Sequence, residues 1–246
     1  PVILLSATLP AKRRISLIRS YLGTKKSDKK FEENISYPVI TWTDGKKICQ
    51  KNLTYNGKSN SVKIKKCSTD SIFPDIINVV KNGGCVGIIV NTVKRAQHIA
   101  EIIRNSITEN ILLYHAQYIM PDRTLKEEEL LRKTGKNSTS ETRKGFVAVG
   151  TQVLEQSLDI DFDMLVTDIC PVDLLLQRMG RLHRHKRDYR PDIVKKTVCY
   201  VMTDEYDNNR TGSKVIYGEW LLKKTYDILP ENITLHDDIS PLVQQV

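Results

Sequence analysis

No long hydrophobic run, no signal-peptide pattern and no closely spaced pair of cysteines is visible in the sequence. No stretch of eighteen apolar residues occurs among the 246, so we expect no segment that spans a membrane. The five cysteines are odd in number, far apart and without CxxC spacing; they are Cys49, Cys67, Cys85, Cys170 and Cys199. This pattern favours reduced thiols in the core of a cytoplasmic protein over a disulfide framework or a zinc site.

A phosphate-binding loop of the form GxxxxGK[ST] is also missing. Gly57-Lys58-Ser59 matches its end, but Asn52 stands where the first glycine is required. His236-Asp237 is an isolated pair without the further ligands that a metal nuclease requires. The chain opens on an apolar run at residues 1–5, which we interpret as the middle of a buried strand in an excised fragment.

Positive charge is abundant and unevenly placed. The formal net charge is +9, and positions 178–196 hold five Arg and three Lys against Asp188 and Asp192. Such a local excess suggests a polyanionic partner, either nucleic acid or nucleotide phosphates. The alternative is a solvated basic face that maintains solubility.

Strand and helix patterns alternate after Pro74. Apolar runs predict strands at 86–90, 111–114, 146–149, 164–169 and 197–202, with helices between them, including 124–133 and 174–181. Near-continuous apolar strands that alternate with helices indicate a parallel sheet covered on both faces, so we predict an α/β fold. Ligands of such a sheet lie at the carboxyl ends of its strands.

Additional elements are predicted on both sides of this sheet. Alternating residues at 37–43 and 48–55 indicate strands, and Asn56-Gly57 predicts a hairpin into a further strand at 62–67. Apolar spacing at 215–228 predicts one C-terminal helix.

Two segments carry residues suited to phosphate chemistry. Residues 177–184 read Gln-Arg-Met-Gly-Arg-Leu-His-Arg; their planar, permanently charged guanidinium groups suit phosphate oxygens, and Gly180 permits close approach. The simpler interpretation is a basic helix end that meets the helix dipole. Residues 150–161 follow a strand and open a helical turn, where backbone N–H groups and Thr151 can meet a phosphate. N-capping by Thr151 is the alternative.

Together these segments resemble a known family. Ser6-Ala7-Thr8, then Thr151-Gln152 with Ser157-Leu158-Asp159, then the run from Gln177 to Arg184 match, in this order, the later motifs of superfamily 2 helicases. Ser6 to Pro10, Tyr37 to Trp42, Gln177 to His185 and Tyr217 to Leu221 look most like the helicase of type I CRISPR interference. The resemblance covers nearly the whole chain. It implies a RecA-like sheet, specifically the second RecA-like domain of a helicase.

The resemblance also implies roles around ATP. Arg181 and Arg184 match arginine fingers that reach the γ-phosphate, and Gln177 matches a residue near the nucleotide. Asp159 matches a contact to the ribose or a coupling position, while Gly150 and Gly180 line the nucleotide side. ATP and Mg²⁺ would be held mainly by a first RecA-like domain of which this chain carries only the end. The string Asp204 to Asp207 spells DExD but lies downstream of Arg184, where the family does not place it, so we interpret it as a solvated turn.

Further implied roles concern nucleic acid. Thr151, Asn91 and Thr92 match contacts to its backbone, and Ser6 and Thr8 match the motif that couples hydrolysis to strand movement. The implied partners are single-stranded DNA, the guide-RNA surveillance complex of type I CRISPR systems and an HD nuclease domain or subunit. We predict the end of the first RecA-like domain at 1–23, a linker at 24–36, the second RecA-like domain at 37–204 and an accessory region from 205. An RNA helicase of the DEAH type and a non-motor nucleic-acid-binding module are the alternatives.

Overall fold

A computed structural model describes residues 2–23, 34–57, 59–155, 158–204 and 212–245. The chain forms two compact units. The smaller unit comprises residues 1–61 and 234–246, and the larger unit comprises residues 62–233. The boundaries proposed after residues 23, 36 and 204 stay predictions, and most of the linker falls outside the described ranges.

The helices and strands of the described ranges have the following bounds. The strands are β1 (Val39–Thr43), β2 (Ile48–Asn52), β3 (Asn60–Cys67), β4 (Val86–Ile89), β5 (Ile111–Tyr114), β6 (Val147–Gly150), β7 (Met164–Asp168), β8 (Val198–Met202) and β9 (Asn232–Leu235). The helices are α1 (Ala11–Leu22), α2 (Thr69–Lys81), α3 (Val93–Ser106), α4 (Met120–Thr134), α5 (Ser140–Arg143), α6 (Val172–Met179), α7 (Ser213–Tyr217), α8 (Glu219–Ile228) and α9 (Ile239–Val243). Short 3₁₀ turns occupy Gln152–Leu154 and Asp192–Val194.

A seven-stranded sheet in the order β5-β6-β4-β7-β8-β3-β9 confirms the predicted α/β fold. Strands β5, β6, β4, β7, β8 and β3 pair in parallel along this order. Every residue of β4, β6 and β7 is buried, because a central parallel strand has helices over both faces. The strand predictions at 86–90, 111–114, 146–149, 164–169 and 197–202 therefore hold to within about a residue at each end.

The hairpin prediction at Asn56-Gly57 is wrong. Strands β1 and β2 form the hairpin instead, paired antiparallel, whereas β3 pairs in parallel with β8. The turn lies at Asp44-Gly45, where Asp44 Oδ1 accepts hydrogen bonds from the backbone N–H groups of Lys46 and Lys47, at 2.9 and 3.0 Å. Gly45 has φ +92°, a conformation that glycine adopts without steric strain.

Two further sequence predictions need correction. Residues 2–5 form no strand, and their side chains are exposed; no strand of the described ranges pairs with them. The single helix predicted at 215–228 is two helices, α7 and α8, because Gly218 between them has φ +81° and breaks the helical backbone.

Caps place the ends of the helices that flank the sheet. Helix α2 begins at a reciprocal capping box between Ser68 and Ser71, which explains why it starts well before Pro74. Helix α3 begins at Thr92, whose side chain accepts from the backbone N–H of Arg95. Thr92 therefore stands at the junction between strand β4 and helix α3.

The carboxyl ends of the parallel strands bring the candidate residues of the larger unit to one edge of the sheet. Asn91 follows β4, Thr151 follows β6 and Ile169 follows β7. Gly150 is required at the end of β6, since a Cβ there would lie 2.3 Å from the carbonyl oxygen of Tyr114. This close approach brings β6 against β5 at the edge where the candidate residues lie.

Candidate functional site

Five arginines recur at every third position from the end of α6 onward, and we call them the arginine series. They are Arg178, Arg181, Arg184, Arg187 and Arg190. The segment after β6 carries four carboxylates that we call the acidic segment: Glu155, Asp159, Asp161 and Asp163. The two groups pair with each other in the folded chain. Much of the basic excess at 178–196 is therefore neutralised inside the domain.

Arg178 is fully buried and is the centre of this network. Its Nε and Nη2 atoms donate to Oε1 of Glu155 at 2.8 and 2.6 Å. Its other donors reach acceptors at the ends of β4 and β7: Thr167 Oγ1 (2.7 Å), Asn91 Oδ1 (3.0 Å), the Asp168 carbonyl (3.2 Å) and the Ile89 carbonyl (3.4 Å). Arg178 thus ties the ends of β4 and β7 to Glu155 in the segment after β6, and the Glu155 carboxyl offsets the burial of its charge.

Glu155 links Arg178 to Arg181. Its backbone carbonyl accepts from Nη2 of Arg181 at 2.6 Å, and its carboxylate holds Arg178. Burial raises the pKa of the Glu155 carboxyl, an effect that the Arg178 guanidinium opposes. Its Oε2 atom and the Nε atom of Arg181 are both buried, and no partner for either occurs among the described residues.

Arg181 differs electrostatically from the rest of the series. The residue is 9% exposed, and its guanidinium contacts a carbonyl oxygen, whereas Arg184, Arg187 and Arg190 meet carboxylates. Burial lowers the pKa of Arg181, and the neighbouring Arg184 lowers it further. The group stays charged at neutral pH because the usual pKa of arginine is so high, and it retains an unused donor.

Arg184 is the accessible member of the arginine series. Its side chain is 40% exposed, and Nε lies 2.7 Å from Oδ1 of Asp159, which is itself 51% exposed. Its backbone N–H donates to Asp161 at 2.8 Å. An exposed pair of this kind contributes little stability, so Arg184 and Asp159 can exchange partners at small cost.

The last two arginines anchor the loop that follows α6. Arg187 and Arg190 both pair with Asp161, at 2.7 and 2.9 Å, and Arg190 also contacts Asp163. Arg143, at the end of α5, approaches the same two aspartates. These buried pairs fix the loop beyond Arg184, so that the segment carrying Arg181 and Arg184 is held at both ends.

The predicted nucleic-acid contacts lie at the ends of β4 and β6. Asn91 is buried, and Nδ2 donates to the Ile169 carbonyl at 2.8 Å and to Ser213 Oγ at 2.7 Å. Thr92 is half-buried. Thr151 is buried, and its backbone N–H donates to the Tyr114 carbonyl at 3.4 Å. A direct contact to nucleic acid is therefore argued more readily for Thr92 than for the buried Asn91 and Thr151.

The remaining predicted residues occupy different places. Gly180 ends α6 next to the half-buried Gln177, beside the arginine series. Residues 156 and 157 of the second motif lie outside the described ranges. Ser6 and Thr8 lie in the smaller unit, where Ser6 Oγ accepts from the Thr8 backbone N–H at 3.3 Å. Both line a cavity of about 570 Å³ within that unit.

All five cysteines are free, and burial raises the pKa of Cys85 and Cys170 to about 12, so their thiols stay protonated at neutral pH. No group of three or more His, Cys, Asp or Glu side chains that could hold a metal ion occurs in the described part of the chain. None of the helices described there combines the length and apolar composition that crossing a bilayer requires.

Several residues of this site are not identified by sequence reasoning. Glu155 and Arg178 lie inside the two motifs, yet the sequence does not show that they pair across 23 positions. Ser213 and Tyr217 lie outside both motifs and reach the site only in the folded chain. In the sequence, the regular spacing of the arginine series and the four carboxylates of the acidic segment are the features that indicate a network of internal ion pairs.

Known proteins match the chain along its whole length. A family model described as "CRISPR-associated nuclease/helicase Cas3, C-terminal" matches residues 82–187. The CRISPR-associated nuclease/helicase Cas3 of Streptococcus thermophilus is 42% identical over all of this chain, which spans 27% of that protein. The corresponding Escherichia coli protein is 37% identical over 77% of the chain, which covers 22% of it. The chain thus spans about a quarter of the length of these relatives.

Solved structures give the same match. The crystal structure of T. fusca Cas3 superimposes with a TM-score of 0.86 at 28% identity, over 99% of this chain and 31% of that one. A structure named T. fusca Cas3-ATP has a TM-score of 0.83 at 29% identity, over 99% and 31% of the two chains. A chain of a CRISPR RNA-guided surveillance complex, named pre-nicking, has a TM-score of 0.83 at 26% identity, over 99% and 33%.

Proposed function

This chain belongs to the Cas3 family and corresponds to the C-terminal helicase portion of its members. We propose that it supplies the second half of the ATP site of a DNA helicase of type I CRISPR interference. In this proposal Arg181 and Arg184 are the arginine fingers, and residues at the ends of β4 and β6 contact single-stranded DNA. The protein that carries the chain would move along DNA by hydrolysing ATP.

The observation that carries the proposal is the burial and incomplete hydrogen bonding of Arg181. The residue is 9% exposed, its charged guanidinium has a buried Nε without an acceptor, and its described hydrogen bonds include no carboxylate contact. A phosphate oxygen would satisfy Nε and add an opposite charge, so the group is suited to the charge that develops on a transferring phosphoryl group. The network around Arg178 and Asp161 already fixes its position, so little reorganisation is required.

The other nucleotide-facing residues fit the same arrangement. Arg184 would leave Asp159 to meet the γ-phosphate, after which Asp159 becomes available to a ribose hydroxyl. Gln177 and Gly180 would lie on the same side, with Gly180 allowing close approach and Gly150 shaping the end of β6. A first RecA-like domain would bind most of the ATP and Mg²⁺; a relative named Cas3-ATP supports nucleotide binding in the family.

Contacts to DNA would alternate with closure of the two helicase domains. Thr92 would be the main contact to the DNA backbone, Thr151 would add a contact at the end of β6, and Asn91 would fix the end of β4. Ser6 and Thr8 would couple hydrolysis to strand movement. The surveillance complex and an HD nuclease domain or subunit are the proposed partners. They are supported by a similar chain in a CRISPR RNA-guided surveillance complex and by relatives named nuclease/helicases.

The chain by itself is expected not to hydrolyse ATP. It offers arginine fingers, but no GxxxxGK[ST] phosphate-binding loop occurs in its sequence. A coupled ATPase assay with and without single-stranded DNA measures this directly. Turnover by the isolated chain that DNA stimulates would contradict the division of the site between two domains.

A motor and a passive binding module differ in how ATP affects the rate at which they release DNA. We expect the intact protein to release labelled single-stranded DNA faster with ATP than with a non-hydrolysable analogue, because hydrolysis reopens the cleft. Fluorescence anisotropy during a chase with unlabelled DNA gives the two rates. Equal release rates under both conditions would favour the binding module, and a preference for RNA over DNA would favour the DEAH-type helicase.

A further inference from the structure

Helix α7 lies directly against the edge of the sheet that carries the predicted nucleic-acid contacts. Gly212, its N-terminal neighbour, lies so close to Thr92 that a Cβ on the glycine would be 3.3 Å from the threonine Cγ2. One residue later Ser213 meets Asn91, and one helical turn later Tyr217 meets Gln152. Three consecutive contacts therefore join α7 to the ends of both β4 and β6.

The first of these contacts fixes a buried amide. Ser213 is 1% exposed and Asn91 is 2% exposed. Asn91 Nδ2 donates to Ser213 Oγ at 2.7 Å, while its Oδ1 accepts from Arg178 at 3.0 Å. The orientation of Asn91 is thus set on one side by α7 and on the other by the arginine that also holds Glu155. Asn91 connects α7 to the network behind the proposed arginine fingers.

The second contact joins the two strand ends to each other. Gln152 Nε2 donates to the Asn91 carbonyl at 3.1 Å and to Tyr217 Oη at 2.9 Å. Gln152 follows Thr151, a proposed contact to the DNA backbone. Burial raises the pKa of the Tyr217 hydroxyl, which therefore stays protonated at neutral pH. Tyr217, Gln152, Asn91 and Ser213 form a continuous hydrogen-bonded path across the edge of the sheet.

We propose that α7 is a coupling element of this site, in which Ser213 and Tyr217 position Asn91 and Gln152. These contacts fix the DNA-facing strand ends relative to Arg178 and Glu155, so that a change at one side is transmitted to the other. The proposal rests on the proposed helicase function and adds a role for a helix outside the matched segment 82–187. Ser213 and Tyr217 act through their partners and touch neither ATP nor DNA.

The test compares ATP hydrolysis by the intact protein with and without saturating single-stranded DNA. Tyr217→Phe removes one hydroxyl and keeps the ring. We expect it to lower the ratio of DNA-stimulated to basal kcat about fivefold, which is the size of effect that one hydrogen bond carries. Ser213→Ala should lower the same ratio. Tyr200→Phe, on strand β8, also removes one hydroxyl and keeps the ring; it is the matched control and should keep the wild-type ratio, because the Tyr200 hydroxyl accepts from Lys65 Nζ on strand β3 rather than from a residue of the α7 contacts.

A double-mutant comparison separates coupling from general loss of structure. If Tyr217 acts through Gln152, the double variant Tyr217→Phe/Gln152→Ala has the same ratio as Gln152→Ala alone. Additive losses, or a wild-type ratio in both Tyr217→Phe and Ser213→Ala, would overturn the proposal while leaving DNA-stimulated hydrolysis by the wild-type protein intact. A wild-type protein that DNA does not stimulate would instead remove the helicase function together with this inference.

Discussion

Replacing Arg178 with methionine is expected to lower the free energy of unfolding of the chain by about 3–5 kcal/mol. The substitution keeps much of the side-chain volume but leaves Glu155 as a buried carboxylate without its partner, the situation in which breaking a buried ion pair is most destabilising. It also removes the donors to Asn91 and Thr167. Urea denaturation followed by circular dichroism measures the change.

The same substitution at Arg184 is the matched control. That arginine belongs to the same series, but its pair with Asp159 is about half exposed, so we expect a loss below about 1 kcal/mol. Equal losses at the two positions would contradict the view that Arg178 is structural and Arg184 is available to a ligand.

Replacing Arg181 or Arg184 with alanine is expected to abolish ATP turnover by the intact protein while leaving its fold intact. Arginine fingers contribute about 10³–10⁵ in kcat, since they neutralise charge that develops on the transferring phosphoryl group. Arg181 has a spare buried donor and Arg184 an exchangeable partner, so each retains hydrogen-bonding capacity that a phosphate oxygen can use. Steady-state ATPase assays at saturating single-stranded DNA give kcat, and thermal denaturation checks the fold.

Two comparison variants test whether the loss of turnover is specific to the arginine fingers. Lys186→Ala removes a neighbouring exposed cation and should retain wild-type turnover. Arg181→Lys keeps the charge but loses the planar fork of donors, so it should remain strongly impaired. Turnover by Arg181→Ala and Arg184→Ala close to that of Lys186→Ala would remove the finger assignment.

The sheet was predictable because a strand that is buried on both faces is apolar at nearly every position of its sequence. Strands β4 and β6 contain only apolar residues and glycine, and β7 begins with three apolar residues; such runs between helical patterns indicate few other folds. The hairpin was mispredicted because two turn signals compete, Asp44-Gly45 and Asn56-Gly57. Both suit a tight turn, and only the tertiary pairing of β3 with β8 decides between them.

The charge of the candidate site could not be inferred from a local count. The window at 178–196 is strongly basic, but its arginines fold against a carboxylate segment that begins 23 positions earlier. Spatial pairing leaves Arg181 with a carbonyl contact and Arg184 at the surface. The arginines of this motif look equivalent in the sequence, but in the folded chain they differ in burial, in hydrogen-bond partners and in proposed role.

The contribution of α7 was hidden for a different reason. Its contacts with Asn91 and Gln152 cross 122 and 65 positions, and the apolar spacing at 215–228 does not indicate which residues the helix contacts. The apolar spacing continues across Gly218, so the sequence predicted one longer helix, although the helical backbone breaks at that glycine. Only the packing of the folded chain shows that Ser213 and Tyr217 face the strand ends.

Strand displacement by the intact protein and its Arg184→Ala variant, on duplexes with 3′ DNA or 3′ RNA tails, tests the central claim most directly. We expect ATP-dependent unwinding from the DNA tail that the variant loses, because movement on DNA requires the arginine that this chain contributes. Unwinding confined to RNA tails, absence of unwinding on both substrates, or full activity of the variant would contradict the account.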